Sequence, residues 1–238
     1  SFSFRAGQFA LYSAFGAGES TFCIANPPTR KGYIETTFRR VGRVTGTLAD
    51  LNIGDTMGFR GPYGNWFPMD SFHGKNLIFV AGGIALPPLR TVIWECLDQR
   101  EKFGDITVIY GARSVQDLVY KRELEHWDER PDVNLVQTVD PGGEEPGWKG
   151  KIGFVPTVLK EAAPPPDNAV ALVCGPPIMI KFSLQALGEL GFSDEQISRG
   201  EALDDDERIT SIARLSRRLV GLPHNFSVHP GGVVIVPD

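Results

Sequence analysis

The hydrophobic pattern divides the chain into two parts with different periods. Up to about residue 70, short apolar or aromatic runs are bounded by turn residues, which is typical of strands. These runs cover residues 8–13, 21–24, 33–41 and 57–59. Several strands at such spacing predict a small antiparallel β-barrel or sandwich in this part of the chain.

The second part alternates apolar runs with helical patterns. A continuous apolar run is expected for a strand that is buried on both faces, and the apolar runs here cover residues 77–80, 106–110, 133–136 and 170–173. The helical patterns lie near residues 89–97, 120–127, 156–162 and 178–190. Strands that alternate with helices predict crossover units and a parallel α/β sheet. We therefore expect an α+β chain of two domains, divided near residues 69–75.

Composition and charge narrow the possible functions. Hydrophobic residues make up 42% and charged residues 22% of the chain, as in ordinary globular proteins. No run of 18 apolar residues occurs, so we expect no membrane span. The formal charge of -5 disfavours a nucleic-acid partner, because nucleic-acid-binding proteins usually carry a basic face. Cys23, Cys96 and Cys174 form no CxxC pair, which favours a reducing compartment, and we expect a cytoplasmic protein.

Four motifs that contain Gly or Pro stand at predicted strand ends. They are residues 42–45 (GRVT), 60–65 (RGPYGN), 81–88 (AGGIALPP) and 174–177 (CGPP). Each motif alone marks only a turn. Together and in this order, over residues 7–197, they resemble the ferredoxin reductase-type FAD/NAD(P) oxidoreductases. The likeness is to the electron-transfer subunits of cytoplasmic hydrogenases, sulfite reductases and dihydroorotate dehydrogenases.

The resemblance implies a division into domains and a chemistry. It implies an FAD-binding β-barrel over residues 1–72 and a Rossmann-like NAD(P)-binding domain over residues 73–198. The family's first barrel strands precede Gly7, so the barrel is expected to be incomplete. FAD and NAD(P)H, the implied cofactors, carry out hydride transfer themselves, so we expect no catalytic side chain and no metal site. The implied partner is a redox subunit of a multi-subunit complex, similar to a hydrogenase or a sulfite reductase.

A flavin site is assigned to the first domain by the same resemblance. Residues 42–45 precede a short helical stretch at 48–51, so their amides can bind the FAD pyrophosphate at a helix N-terminus. A plain turn with a Thr cap is the alternative. Residues 20–23 take the place of the family's Arg-x-Tyr-Ser signature, and Cys23 there is either a weak donor near the flavin or an ordinary buried residue. The residues expected to contact FAD are Phe22, Cys23, Ile24, Gly42, Arg43, Val44, Thr45 and Tyr63.

The nucleotide site is indicated by a Gly-rich loop between a buried strand and a helix. Amides of such a loop can cradle the NAD(P) pyrophosphate at the carboxyl ends of parallel strands. Arg113 can pair with a 2′-phosphate, which would favour NADPH. A surface arginine is the alternative, and the choice between NADH and NADPH stays open. The residues expected to contact the nucleotide are Gly82, Gly83, Ile84, Arg113, Ser114, Cys174, Gly175 and Pro176.

The last segment, residues 199–238, departs from the family pattern. Family members commonly carry a cysteine-rich loop for a 2Fe–2S cluster there, but residues 201–238 contain no cysteine. This stretch resembles instead a part of bacterial DNA polymerase III alpha. Two alternatives to an active reductase follow. One is a nucleic-acid-synthesis fragment, which the acidic charge opposes, and the other is an inactive truncated or chimeric reductase.

Overall fold

The computed structural model describes residues 2–199, which form two sheets. The first sheet is antiparallel and has three strands in the order β2-β1-β3, namely β1 (Phe9–Ala14), β2 (Gly18–Cys23) and β3 (Gly58–Tyr63). Helix α1 (Arg43–Ala49) packs against β1 and β2. We call these elements the antiparallel unit. Its core consists of the buried residues Ala10, Tyr12, Ala14, Ile24, Val44 and Leu48.

The second sheet is parallel and has six strands in the order β7-β6-β5-β4-β8-β9. The strands are β4 (Asn76–Gly82), β5 (Ile106–Ala112), β6 (Val133–Val139), β7 (Lys151–Ile152), β8 (Ala169–Cys174) and β9 (Ile197–Arg199). The helices that accompany them are α2 (Leu86–Asp98), α3 (Lys121–Asp128), α4 (Val155–Ala162) and α5 (Pro177–Glu189). We call these elements the parallel unit.

Strand β4 lies in the middle of the parallel sheet and is buried on both faces. Successive side chains of a strand point to opposite faces. Leu77 and Phe79 accordingly join one core cluster, which contains residues of α2 and α3. Ile78 and Val80 join a second cluster, which contains residues of α4 and α5. This double burial confirms what the continuous apolar run predicts.

The parallel unit agrees with the sequence prediction. All four predicted strands and all four predicted helices are present, with ends that differ by a few residues. Strands β7 and β9 were not predicted, because two and three residues are too few to establish a period. The order of the strands confirms the crossover connections, since β4 lies between β5 and β8.

The antiparallel unit corrects two expectations. Its three strands do not close a barrel within residues 2–199, which agrees with the incomplete barrel that the sequence analysis expects. Residues 33–41, whose β-branched and aromatic content predicted a strand, form none. The backbone of Glu35 bonds to Asn26 and Ala25 and not to a neighbouring strand. The short helix begins at Arg43 and ends at Ala49, so the motif at residues 42–45 is its first turn and does not precede it.

Two further expectations concern the chain as a whole. The resemblance of residues 201–238 to a DNA polymerase, and their lack of cluster cysteines, lie outside the described residues. Between residues 2 and 199, no helix combines the length and the apolarity needed to cross a bilayer. In the same range, no three His, Cys, Asp or Glu side chains are grouped so that they could hold a metal ion.

Candidate functional site

Three strands of the parallel sheet end side by side at an open cavity. In the register of the sheet, Gly82 of β4 pairs with Gly111 of β5, and Ala81 of β4 pairs with Cys174 of β8. The cavity at these strand ends has a volume of about 1110 Å³. The crevice outside the carboxyl ends of parallel strands is where α/β sheets bind ligands.

Helices pack closely against the glycines at these strand ends. A Cβ on Gly82 would lie 2.4 Å from the sulfur of Met179, and one on Gly175 would lie 2.3 Å from its terminal methyl. On the other side, a Cβ on Gly111 would lie 2.4 Å from a methyl of Val155. A side chain at Gly82 or at Gly175 would thus require Met179 to move, and of these two glycines only Gly82 lines the cavity.

Gly83 has a different role, because it has a left-handed backbone and open space beside it. Its φ is +57°, and no heavy atom lies within 4 Å of the position where a Cβ would stand. Gly83–Ala85 form a single turn that leads directly into α2. Because Pro87 and Pro88 have no N–H, the backbone donors at this end of α2 come from that turn.

The hydroxyl of Tyr110 holds this turn in place. It donates to the carbonyl of Gly83 at 3.0 Å and accepts the N–H of Val119 at 3.0 Å. The side chain is completely buried, and this burial raises the pKa of Tyr110 to about 12, so the hydroxyl stays protonated. The sequence analysis placed Tyr110 at the end of a buried strand and gave its hydroxyl no role, although a buried tyrosine hydroxyl usually has a hydrogen-bond partner.

The charged groups of the cavity wall differ in how they are paired. Arg39 forms an ion pair with Asp117 at 2.8 Å, whereas Arg113 makes no ion pair with any residue in the range 2–199. Asp140 also lines the cavity, and burial raises its pKa. Ser114 is not part of the wall, because its hydroxyl donates to the Asp117 carboxylate at 3.0 Å and accepts the Asp117 N–H at 3.3 Å.

The structure thus brings together part of the predicted nucleotide set. Gly82, Gly83, Ile84, Arg113 and Pro176 line the cavity, whereas Ser114, Cys174 and Gly175 do not. The wall also contains residues that the sequence interpretation missed, namely Arg39, Asp117, Asp140, Phe154, Lys160, Ile178 and Phe182. The sequence contained a signal for Asp140, because this residue follows an apolar strand and stands directly before the turn residues Pro141-Gly142-Gly143.

Two of the predicted flavin residues, Cys23 and Tyr63, lie on the two outer strands of the three-stranded sheet. Phe9 of the central strand pairs with Cys23 on one side and with Tyr63 on the other, so the three residues form one row across the sheet. Cys23 is buried, and this burial raises the pKa of its thiol to about 12, so the thiol is neutral. Tyr63 is 38% exposed and is the member of the row that a ligand can reach by its side chain.

Three other predicted flavin residues contribute to the core of the antiparallel unit. The side chains of Ile24 and Val44 are buried in its core cluster. The ring of Phe22 stacks on that of Phe38, with 5.1 Å between centroids and 28° between planes. The side chains of Ile24 and Val44 are therefore not available to a ligand.

The first turn of α1 is closed by its own side chains. The Thr45 hydroxyl accepts hydrogen bonds from the N–H groups of Val41 and Gly42, both at 3.0 Å. Backbone amides of the turn that it was expected to cap therefore already use this hydroxyl. The Arg43 guanidinium donates to the carbonyl of Gly16. Gly42 and Arg43 are exposed, whereas Thr45 is buried. Within this motif, Gly42 and Arg43 are thus the residues that remain accessible to a phosphate group.

These observations fit a dinucleotide in the cavity. The rim contains glycines, the turn at the start of α2 is open, and Arg113 contributes a positive charge that acts on Asp117 and Asp140 without forming an ion pair with either. A cavity of this volume also accommodates a ligand larger than an ordinary drug-sized molecule. In the antiparallel unit, the accessible groups for a flavin are Gly42, Arg43 and Tyr63.

Comparison with known proteins agrees with this geometry. Residues 79–185 match the family model described as an oxidoreductase NAD-binding domain. The chain is 37% identical to the sulfhydrogenase 1 subunit gamma of Pyrococcus furiosus, over 82% of this chain and 67% of that protein. It is 36% identical to the sulfhydrogenase 2 subunit gamma of the same organism, over 82% of this chain and 71% of that protein.

A solved structure shows the same fold. The ferredoxin NADP+ reductase of Neisseria gonorrhoeae, which was solved with bound FAD and NADP, superposes with a TM-score of 0.67. The match covers 83% of this chain and 86% of that chain at 20% identity, so it speaks for the fold alone. The two sulfhydrogenase relatives establish the family, and the shared fold agrees with it: the chain belongs to the ferredoxin reductase-type FAD/NAD(P)-binding oxidoreductases.

Proposed function

We propose that the cavity at the ends of β4, β5 and β8 binds NAD(P)H, and that the antiparallel unit holds FAD beside it. The chain is a flavin-dependent oxidoreductase, whose nicotinamide and flavin cofactors supply hydride transfer as their own chemistry. The observation that carries the proposal is the turn at Gly83. Its backbone is left-handed at Gly83 and open to the cavity, and the Tyr110 hydroxyl holds it by a hydrogen bond to the Gly83 carbonyl.

Most of the predicted nucleotide residues have a role in this proposal. The amides of the Gly83–Ala85 turn bind the pyrophosphate, and Gly82 and Gly175 let Met179 pack against the strand ends. Arg113 pairs with a ribose phosphate or hydroxyl at the far side of the cavity. Ser114 acts indirectly, because its hydroxyl fixes Asp117, which in turn binds Arg39 of the cavity wall.

Two of the three buried cysteines border the region between the proposed cofactor sites. Cys23 ends β2 in the antiparallel unit, and Cys174 ends β8 in the parallel unit. Burial raises the pKa of both thiols, and the charge of a Cys23 thiolate would raise that of Cys174 further. Neutral thiols add no charge to this region and exclude water from it, which suits the transfer of a hydride.

The electrons leave for a redox partner subunit. The two relatives above are gamma subunits of sulfhydrogenases, which supports a hydrogenase-like partner. A sulfite reductase-like partner is the other member of the same class. We further propose an FAD domain over residues 1–72, an NAD(P) domain over residues 73–198, and, because cysteines are sparse, a cytoplasmic location.

The proposal is tested by anaerobic absorbance of the protein reconstituted with FAD. NADH and NADPH are added separately, and loss of the flavin band is followed with time. Bleaching establishes that both sites are formed, and the nucleotide that bleaches faster is the preferred one. If FAD washes off and no bleaching occurs, this chain is an inactive reductase, and the proposal is wrong for it.

A further inference from the structure

A single stretch of chain connects the predicted flavin residues to the parallel unit. Residues 25–39, which we call the bridging segment, lie between the flavin residues 22–24 and the turn at residues 42–45. The segment forms no helix or strand. It is fixed by bonds to side chains of α2 and of the region just before α3, so the parallel unit determines where it lies.

Arg90 of α2 is the centre of this contact. Its side chain is 6% exposed, and one terminal nitrogen donates to the carbonyl of Ala25 at 2.6 Å. The same nitrogen donates to the Glu35 carboxylate at 2.8 Å, so Arg90 bonds to the bridging segment at its first residue and again near its end. Glu123 of α3 receives two bonds, from the Nε and from the second terminal nitrogen, at 2.7 and 2.6 Å. The guanidinium also lies over the ring of Tyr120, 4.5 Å from its centroid.

Thr91 provides a second link directly beside the first. Its buried hydroxyl donates to the carbonyl of Asn26 at 2.9 Å. The Asn26 side chain in turn accepts the N–H of Glu35 at 2.9 Å, and the Ala25 N–H donates to the carbonyl of Glu35 at 2.8 Å. Two consecutive carbonyls just after the flavin residues are therefore bonded to two consecutive residues of one helix.

The same helix follows the Gly83 turn. Arg90 is in the second turn of α2, which begins at Leu86 directly after that turn. Rigid packing of α2 against β4 and β8 thus fixes both the nucleotide turn and the place of the bridging segment. The far end of the segment is attached as well, through Thr37 to Tyr120 and through Arg39 to Asp117.

We propose that Arg90 is a positioning residue for hydride transfer, because it sets the flavin residues 22–24 at a fixed distance from the Gly83 turn. The proposal rests on the function proposed above. A planar guanidinium suits this task, because its donors bind a carbonyl and two carboxylates in fixed directions. A lysine at this position keeps the charge that Glu35 and Glu123 require but cannot make all of these bonds at once.

The test compares Arg90→Lys with a matched control, Arg100→Lys. Arg100 also belongs to the parallel unit and also binds a carboxylate, that of Asp132 at 3.0 Å, but it does not contact the bridging segment. The first readout is hydrogen–deuterium exchange of peptides that span residues 22–39, on the FAD-loaded protein. The second is the rate of flavin reduction at saturating NAD(P)H, measured together with the KM for the nucleotide.

We expect R90K to speed exchange in residues 22–39 and to slow flavin reduction by about tenfold or more, because small displacements of reacting groups have large effects on rate. The KM should stay within about twofold of wild type, since the nucleotide turn is unchanged. R100K should match the wild-type protein in both readouts. Thr91→Val removes one hydroxyl and disturbs no charge. It should also speed exchange in residues 22–39 and slow flavin reduction, to a smaller extent, and it remains a test if R90K folds poorly.

Several outcomes would overturn the inference. Wild-type exchange and wild-type reduction rates in R90K or in T91V would show that the contact does not position the flavin residues. Equal slowing in R100K would show a general loss of structure. These failures differ from failure of the proposed function, in which the wild-type protein itself would not reduce FAD.

Discussion

Arg90 donates to the carbonyl oxygen of Ala25 across the two units, at 2.6 Å and from a buried guanidinium. Ala25 directly follows the predicted flavin residues 22–24, and Arg90 lies in the helix that follows the Gly83 turn. The contact therefore connects the surroundings of the two cofactor sites. It consists of this hydrogen bond and of the ion pairs that neutralise the guanidinium. A two-cofactor enzyme needs such a connection, because each unit could otherwise fold well and still hold its cofactor at an unproductive distance.

Gly83 is expected to be indispensable for nucleotide binding. A β-branched side chain is strained at its φ of +57° and would extend into the space where the pyrophosphate is proposed to lie. We expect Gly83→Val to weaken NAD(P)H binding by about tenfold or more and to leave FAD binding unchanged. Titration of the nucleotide by isothermal calorimetry, with FAD content measured by absorbance, checks both parts.

Gly74→Val is the matched control for this prediction. Gly74 has a φ of +74° and also has nothing within 4 Å of its missing Cβ, but it stands before β4 at the opposite end of the strand. Its substitution introduces similar backbone strain without reaching the cavity. If both variants lost nucleotide affinity equally, strain rather than the open turn would be the cause, and the role assigned to Gly83 would be wrong.

Tyr110 is expected to support both stability and nucleotide binding. Tyr110→Phe keeps the buried ring but leaves the Gly83 carbonyl and the Val119 N–H without their shared partner. We expect the free energy of unfolding to fall by about 1–3 kcal/mol, because a buried polar group that is left without a hydrogen bond destabilises the folded state. Denaturant unfolding measures this loss. Tyr33→Phe, at a ring that is 48% exposed, should change the stability little.

The contrast between the two units shows what a sequence can predict. The run at residues 77–80 predicted a doubly buried strand because each residue of it meets a helix, and periodicity records that burial directly. Residues 33–41 have an equally strand-like composition, but they form no strand, and the backbone of Glu35 bonds to Ala25 and Asn26, which form none either. β-propensity reports a preference for a pleated surface and does not specify whether a neighbouring strand is present.

The site could be predicted only in part for the same reason. Gly82 and Gly83 were predicted because a strand end followed by glycine is a local signal, whereas Gly111 of the same cavity was not predicted. Arg90 was not found, because it stands among the apolar residues of α2 and its partners Glu35 and Glu123 are 55 and 33 residues away. Thr45 was assigned to a phosphate, whereas its hydroxyl is occupied by amides three and four residues before it.

Arg113 is expected to decide between NADH and NADPH. It is the arginine of the cavity wall that makes no ion pair within residues 2–199, so its donors are available to a 2′-phosphate. We expect Arg113→Ala to weaken NADPH binding by about tenfold or more and NADH binding by about twofold at most. Steady-state kinetics with each nucleotide measures the ratio. Arg122→Ala, on the exposed side of α3, is the control, and equal losses for both nucleotides in R113A would exclude a 2′-phosphate site.

Glu95 should make the stability of the protein fall as the pH rises towards neutrality. Burial raises the pKa of its carboxyl to about 7, with Asp70 and Asp98 adding to the effect, and one of its oxygens is buried with no hydrogen-bond partner. Because the folded pKa lies above the ordinary value of 4.5, the stabilising contribution is complete below pH 4.5 and is lost as the pH rises through about 7.

The matching experiment replaces Glu95 with Gln, which stays neutral at every pH. Relative to the wild-type protein, E95Q should gain about 1–2 kcal/mol of unfolding free energy between about pH 5 and about pH 8, with allowance for the solvent that reaches this side chain. Urea unfolding at both pH values measures the gain. Glu125→Gln, at an exposed position of α3, should show no such trend. A gain of equal size at both pH values would mean that the carboxyl of Glu95 titrates normally and that its burial leaves the charge fully solvated.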